Sequence, residues 1–157
     1  MTVSDVDAIP DAKLSFNTTH TVVSGPEQLG RVLFVAGDHV KFGFPLAWTT
    51  TTLLWGLVEF RVGYEAAGEL DNMLDSVRWP LDYFIKCHVS DNLFYGQVAD
   101  GYADHAEWTR PESMTTYRPS FAISDQQPGS DLAGETAAAL AAGSIAFQDT
   151  GLYKFLA

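Results

Sequence analysis

Apolar side chains recur at helical spacing in three stretches of the chain. Between Pro45 and Tyr64, Leu46, Leu53, Leu54, Leu57 and Val58 repeat near threes and fours, with Trp48, Trp55 and Phe60 beside them. Apolar residues lie almost all round this stretch, so it reads as a buried inner helix with Trp48 and Trp55 in the core. Pro45 suits a first helical turn. The Thr49-Thr50-Thr51-Thr52 run is β-branched and locally opposes helix. Gly68 separates a second helix, Asp71 to Val89, in which Leu74, Val77, Leu81, Phe84, Ile85 and His88 share a face. Asp71 or Asn72 could cap it, and Pro80 should kink it by removing a backbone donor. A third helix is predicted from Ser130, as its cap, to Phe147, with Leu132, Thr136 and Leu140 spaced by four on an Ala-rich surface. Residues 90–129 read as one long irregular connection rich in aromatics, a kind of segment that is often functional. Residues 1–30 show no sustained period, although Thr21-Val22-Val23 and Val32-Leu33-Phe34-Val35 could be short strands.

Composition narrows the picture. The chain has 157 residues, 46% hydrophobic and 18% charged, enough for one globular domain with a core. Its formal net charge of −11 argues against a nucleic-acid partner, because phosphate contacts need clustered Lys and Arg. The one cysteine, Cys87, cannot form an internal disulfide. Its neighbour His88 would point about 100° away on a helix, so the two make a poor metal pair. No apolar run reaches the roughly 18 residues of a membrane span, so no membrane partner is expected. The N-terminal residues lack the basic region and apolar core of a signal peptide.

Candidate chemistry begins at Val35-Ala36-Gly37-Asp38-His39-Val40-Lys41-Phe42-Gly43-Phe44-Pro45. Asp38 sits on a Gly-containing turn just ahead of the first helix, which can hold a catalytic carboxylate; a loop aspartate can equally cap a helix or face water. Further on, Asp104-His105-Ala106-Glu107-Trp108-Thr109-Arg110 gathers an aromatic face, a cation and carboxylates. That mixture suits sugar binding, where aromatic faces take the pyranose ring and polar edges the hydroxyls. Each of these residues alone could also be fixing the loop. Asp104, His105 and Glu107 resemble a ligand cluster, but no further nearby Cys or His completes a first shell. No metal and no cofactor is expected.

The Asp38–Pro45 segment, read with Gly96-Gln97-Val98, Asp104–Trp108 and Pro128–Ala139, resembles glycoside hydrolase family 9, and more closely the animal-type endo-β-1,4-glucanases. The likeness runs from about Ala36 to Phe147 and corresponds to the N-terminal part of that family's domain. It implies an all-α fold, a partial (α/α)6 barrel with long irregular connections. It also implies inverting hydrolysis of β-1,4-glucan such as cellulose and cello-oligosaccharides. Asp38 falls on the family's general base. Val35 stands where a first aspartate would help hold the water, and a Val side chain cannot accept its hydrogen bond. His105 and Trp108 match the family's His-x-x-Trp substrate contact, with Arg110 beside them. Tyr102 stands where related animal enzymes often carry a smaller or more polar residue. Nothing in the chain aligns with the general acid, a Glu near the family domain's C-terminus, and Glu135 belongs to the Ala-rich helix motif. The calcium ligands associated with the family lie beyond Phe147. The resemblance implies secretion. The expected division is an unmatched, irregular segment 1–34 and an incomplete catalytic domain 35–157. The expectation is a truncated cellulase fragment, inactive alone; the alternative is a non-catalytic glucan-binding fragment or a non-functional product.

Overall fold

The computed structural model describes residues 38–110 and 113–150. The segment 1–34, its two possible strands, Val35 and Gly37 lie outside those residues. Among the described residues, five α-helices and four short β-strands alternate: β1 (Lys41–Phe42), α1 (Gly43–Glu59), α2 (Arg61–Ala67), α3 (Leu70–Cys87), β2 (His88–Ser90), β3 (Leu93–Val98), α4 (Gly101–His105), β4 (Ser120–Ser124) and α5 (Ser130–Ala146).

The first predicted helix forms but breaks once. Phe60 leaves helical geometry and ends α1, with its N–H on the Gly56 carbonyl. The threonine run does not stop the helix, because each hydroxyl donates one turn back. Thr49 to Thr52 reach the carbonyls of Pro45, Leu46, Ala47 and Trp48 at 2.8–3.0 Å, which satisfies side chains that would otherwise compete for the backbone. Gly68, at φ 73°, closes α2 in the left-handed conformation. Two expected caps are corrected. The residue ahead of α3 is Glu69, whose carboxylate takes the Asn72 amide at 2.7 Å instead of a backbone N–H. The residue ahead of α5 is Gly129, so Ser130 is the first helical residue rather than the cap. Pro80 is accommodated within α3.

Helices α1, α3 and α5 pack together as an open, partial barrel-like arrangement. One core cluster joins Leu46, Ala47, Tyr83, Phe84, Cys87, Tyr95, Val98 and Ala139, tying the helices to the sheet. A second joins Leu54, Leu57, Val77, Leu81, Ala146 and Phe147 at the far end. Trp48 and Trp55 do not lie in either, against the sequence expectation. They stand seven residues apart on one face of α1, and both are exposed, Trp55 at 66%. The helix is apolar all round, as read, but within this chain α3 and α5 cover only part of it.

The long connection 90–129 is not wholly irregular. It supplies β3 and β4, which pair antiparallel, with β1 on the other edge of β3 and β2 forming a hairpin with its start. Val98 stands opposite Lys41 on β1 and opposite Ser120 on β4. This register makes the start of β1, the end of β3 and the start of β4 meet at one edge of the sheet.

Candidate active site

Three chain segments leave that edge together: the Asp38 turn ahead of β1, the α4 segment after β3, and Arg118 ahead of β4. The Asp38 side chain is 11% exposed. Its Oδ1 accepts the Val40 N–H at 3.1 Å, a local turn that sets the carboxylate. Its Oδ2 faces His105 Nε2 at 3.9 Å. His105 ends α4, a helix started by Asp100, whose Oδ1 accepts the Ala103 N–H at 2.9 Å.

Asp104 lies beneath this pair, buried at 8% exposure. Its Oδ1 accepts the His39 N–H at 3.1 Å and lies 3.5 Å from His39 Nδ1. Its Oδ2 is 4.0 Å from His105 Nε2. The Arg118 guanidinium donates to the His39 carbonyl and lies 3.6 Å from Met114 Sδ. Burial pushes the Arg118 guanidinium below its ordinary value, while the Asp104 carboxylate and then Tyr83 pull it back up. On the chain entering α4, Ala99 is held at φ 79°, a conformation that ordinarily costs a non-glycine residue energy.

The structure brings Asp38 and His105 within 3.9 Å of each other. Trp108 and Arg110 follow on the same segment with exposed side chains, Trp108 at 98%, and no described hydrogen bond or ion pair joins either to Asp38. Glu107 is exposed, and among the described residues no group of three His, Cys, Asp or Glu side chains is placed to hold a metal ion. Two residues that sequence reasoning did not single out, His39 and Arg118, complete the cluster. Arg118 carried no signal, being a lone basic residue between Tyr117 and Pro119.

A cavity of about 610 Å³ opens beside His105, lined by Phe42, Gln97, Asp100, Gly101, Tyr102 and Phe121 as well. Tyr102 is 91% exposed at its rim. Aromatic faces next to an amide and a carboxylate offer a pyranose ring both stacking and hydroxyl partners. A second cavity, about 660 Å³, lies between the β2–β3 turn and α5. It is slightly the larger, and neither Asp38 nor His105 lines it, whereas His105 lines the first cavity.

Comparison with known proteins places the chain among glycoside hydrolases. The sequence model of glycosyl hydrolase family 9 matches residues 24–154. Endoglucanase 1 of rice, Oryza sativa subsp. japonica, is 53% identical over 115 residues, which are 73% of this chain and 18% of that protein. Among solved structures, the endoglucanase of the termite Nasutitermes takasagoensis superposes with a TM-score of 0.76 at 46% identity, over 98% of this chain and 40% of that one. Endoglucanase CelQ of Clostridium thermocellum, complexed with cellotetraose, gives a TM-score of 0.70 at 28% identity, over 99% of this chain and 27% of that one. This chain therefore spans less than half the length of these relatives. A family model covering most of the sequence, and a fold that superposes on solved endoglucanases, show that the chain belongs to glycosyl hydrolase family 9.

Proposed function

We propose that this chain carries the base-bearing part of an endo-β-1,4-glucanase site. Asp38 is the general base of inverting hydrolysis, and His105, Trp108 and Arg110 contact the glucan. The observation that carries the reading is the Asp38 carboxylate, anchored by the Val40 N–H and facing His105 at the rim of an aromatic-lined cavity. In this reading a water oxygen attacks the anomeric carbon while Asp38 takes its proton. The bond to the leaving oxygen breaks on the opposite face, and that oxygen takes a proton from a second carboxyl group roughly 6.5–9.5 Å from the first. The site region belongs to the catalytic domain proposed for residues 35–157, and the protein acts outside the cell, where cellulose is found.

An aryl glycoside separates the base from the acid. The leaving group of 2,4-dinitrophenyl β-cellobioside departs as a stable anion and needs no proton. Asp38 alone can therefore be read in this chain. Release of dinitrophenolate above background is expected, falling about 10²–10⁴-fold in Asp38→Asn. Equal rates in both proteins would remove Asp38 from the base role.

Val35 favours a second reading. With Val where the family motif has its first aspartate, the chain binds glucan without turning it over. Binding of cellotetraose with no dinitrophenolate release from the wild-type chain selects this reading.

A further inference from the structure

The residue that follows Asp38 is gripped through both of its backbone polar groups. His39 gives its N–H to Asp104 and its carbonyl accepts from Arg118, across separations of 65 and 79 residues. Neither partner touches the Asp38 carboxylate in a described contact. Both act on the backbone that carries it. Asp104 also reaches the other side of the pair, since its second oxygen faces the His105 ring that faces Asp38.

We infer that Asp104 and Arg118 are positioning residues for Asp38, clamping the His39 backbone so that the Asp38 carboxylate is held against His105. The inference rests on the base role proposed above. Three observations support it beyond proximity. First, a carboxylate at 8% exposure is costly to bury unless it is well partnered, and Asp104 meets that cost partly by accepting the His39 N–H. Second, Arg118 grips the same residue from its carbonyl side, and its guanidinium lies near enough to the Asp104 carboxylate to be held up by it against burial. Third, the left-handed Ala99 lies between β3 and α4, at the bend that delivers Asp104 beneath the turn. Strain of this kind persists where surrounding contacts fix the geometry.

The clamp has a definite purpose in base catalysis. Among the described residues the Asp38 carboxylate is hydrogen-bonded within its own short turn, to Val40, a contact that does not fix the turn against the rest of the site. A misplacement of about 1 Å at a reacting group can lower a rate about 10²-fold. Holding the His39 backbone from two separate segments supplies that fixing.

The test uses the full chain with Asp104→Ala, Asp104→Asn and Arg118→Lys. It reads turnover of 2,4-dinitrophenyl β-cellobioside, and NMR signals of the His39 and Val40 amides and of Asp38 Cγ without substrate. Asp104→Ala is expected to lower kcat about 10²-fold, with KM changed less than about threefold. It should also move the Val40 amide and Asp38 Cγ signals. Asp104→Asn keeps an acceptor for the His39 N–H and should recover at least about tenfold of the loss. A kcat for Asp104→Ala within twofold of wild type overturns the inference, as do Asp38 Cγ and Val40 signals that stay in place. Equal losses in the Ala and Asn variants overturn it too. Should Asp104→Ala fail to fold, Arg118→Lys carries the same test: the Val40 and Asp38 signals must move and kcat must fall about tenfold, and unmoved signals refute the clamp. If the wild-type chain shows no turnover, the base role fails, and the NMR arm alone decides whether the clamp positions Asp38.

Discussion

Gly43→Ala should destabilise the fold out of proportion to one added methyl. Gly43 opens α1 directly after the β1 residue Phe42, which pairs with Gln97. A Cβ at Gly43 would lie 2.3 Å from the Gly96 carbonyl oxygen and 3.1 and 3.2 Å from its C and Cα. Ordinary C···O contacts are about 3.3–3.6 Å, so the two backbones must part by about 1 Å. No rotamer can relieve this, because every clashing atom is backbone. Retreat of β3 would press Gly96 onto the Leu132 side chain of α5, whose Cδ2 lies 2.2 Å from where a Gly96 Cβ would stand, so that side chain must also shift. Overpacking of this kind costs about 1–3 kcal/mol. Loss of a ladder hydrogen bond between β1 and β3 adds about 1 kcal/mol. The expected total is about 2–4 kcal/mol, or roughly 5–15 °C in Tm for a chain of this size. Urea unfolding followed by far-UV circular dichroism measures it, with m unchanged. Gly56→Ala is the control. It lies inside the same helix, where an added Cβ would meet nothing within 4 Å, and should stabilise by about 0.5–1 kcal/mol through helix propensity. A Gly43→Ala midpoint equal to or above wild type would refute the reasoning. A loss matched by a gain at Gly56 would establish that the close approach, not alanine itself, is responsible.

Single features carry further expectations. Ala99→Gly should gain about 0.5–1 kcal/mol, because relief of left-handed backbone, about 1–2 kcal/mol, outweighs glycine's added unfolded-state entropy; thermal unfolding reads the sign. Trp108→Ala should leave stability within about 0.5 kcal/mol of wild type, since the ring is 98% exposed, yet weaken cellotetraose binding about 2–12-fold by titration calorimetry, for a stacking contribution of about 0.5–1.5 kcal/mol. Trp55→Glu should likewise leave stability within about 0.5 kcal/mol of wild type while reducing concentration-dependent self-association in sedimentation velocity, because it breaks the exposed Trp48–Trp55 face.

The helices were legible because each buries a stripe long enough to leave a period. Leu74, Val77, Leu81 and Phe84 mark α3, and the predicted span Asp71–Val89 lies within two residues of both observed ends, Leu70 and Cys87. The exposure of Trp48 and Trp55 was not legible, because periodicity reports that a face is apolar and says nothing of what covers it. The sheet was missed for a different reason. Strands of two to six residues are too short for alternation to stand out, and β3 is broken by Gly96, where the register with β4 shifts between Tyr95 and Gln97. The threonine run misled in detail, since propensity alone does not register hydroxyls that bond one turn back.

The candidate site shows the same division, and the division has a physical cause. Asp38 and His105 each belong to a local sequence pattern, and local patterns survive in one dimension. Arg118 and the His39 backbone acquire their relation only through strand register. Lys41, Val98 and Ser120 must stand in one row before residues 38, 104 and 118 can converge. A shift of one residue in either pairing would turn each strand's side chains to the opposite face and carry the arginine away from the turn. The tight Gly43–Gly96 approach fixes one pairing, since any other residue at position 43 would force the strands apart. The backbone that sets the register thus also sets the carboxylate. Fold stability and the placement of Asp38 are coupled through a two-residue strand, so Gly43→Ala should lower dinitrophenyl cellobioside turnover even under conditions where the variant remains folded.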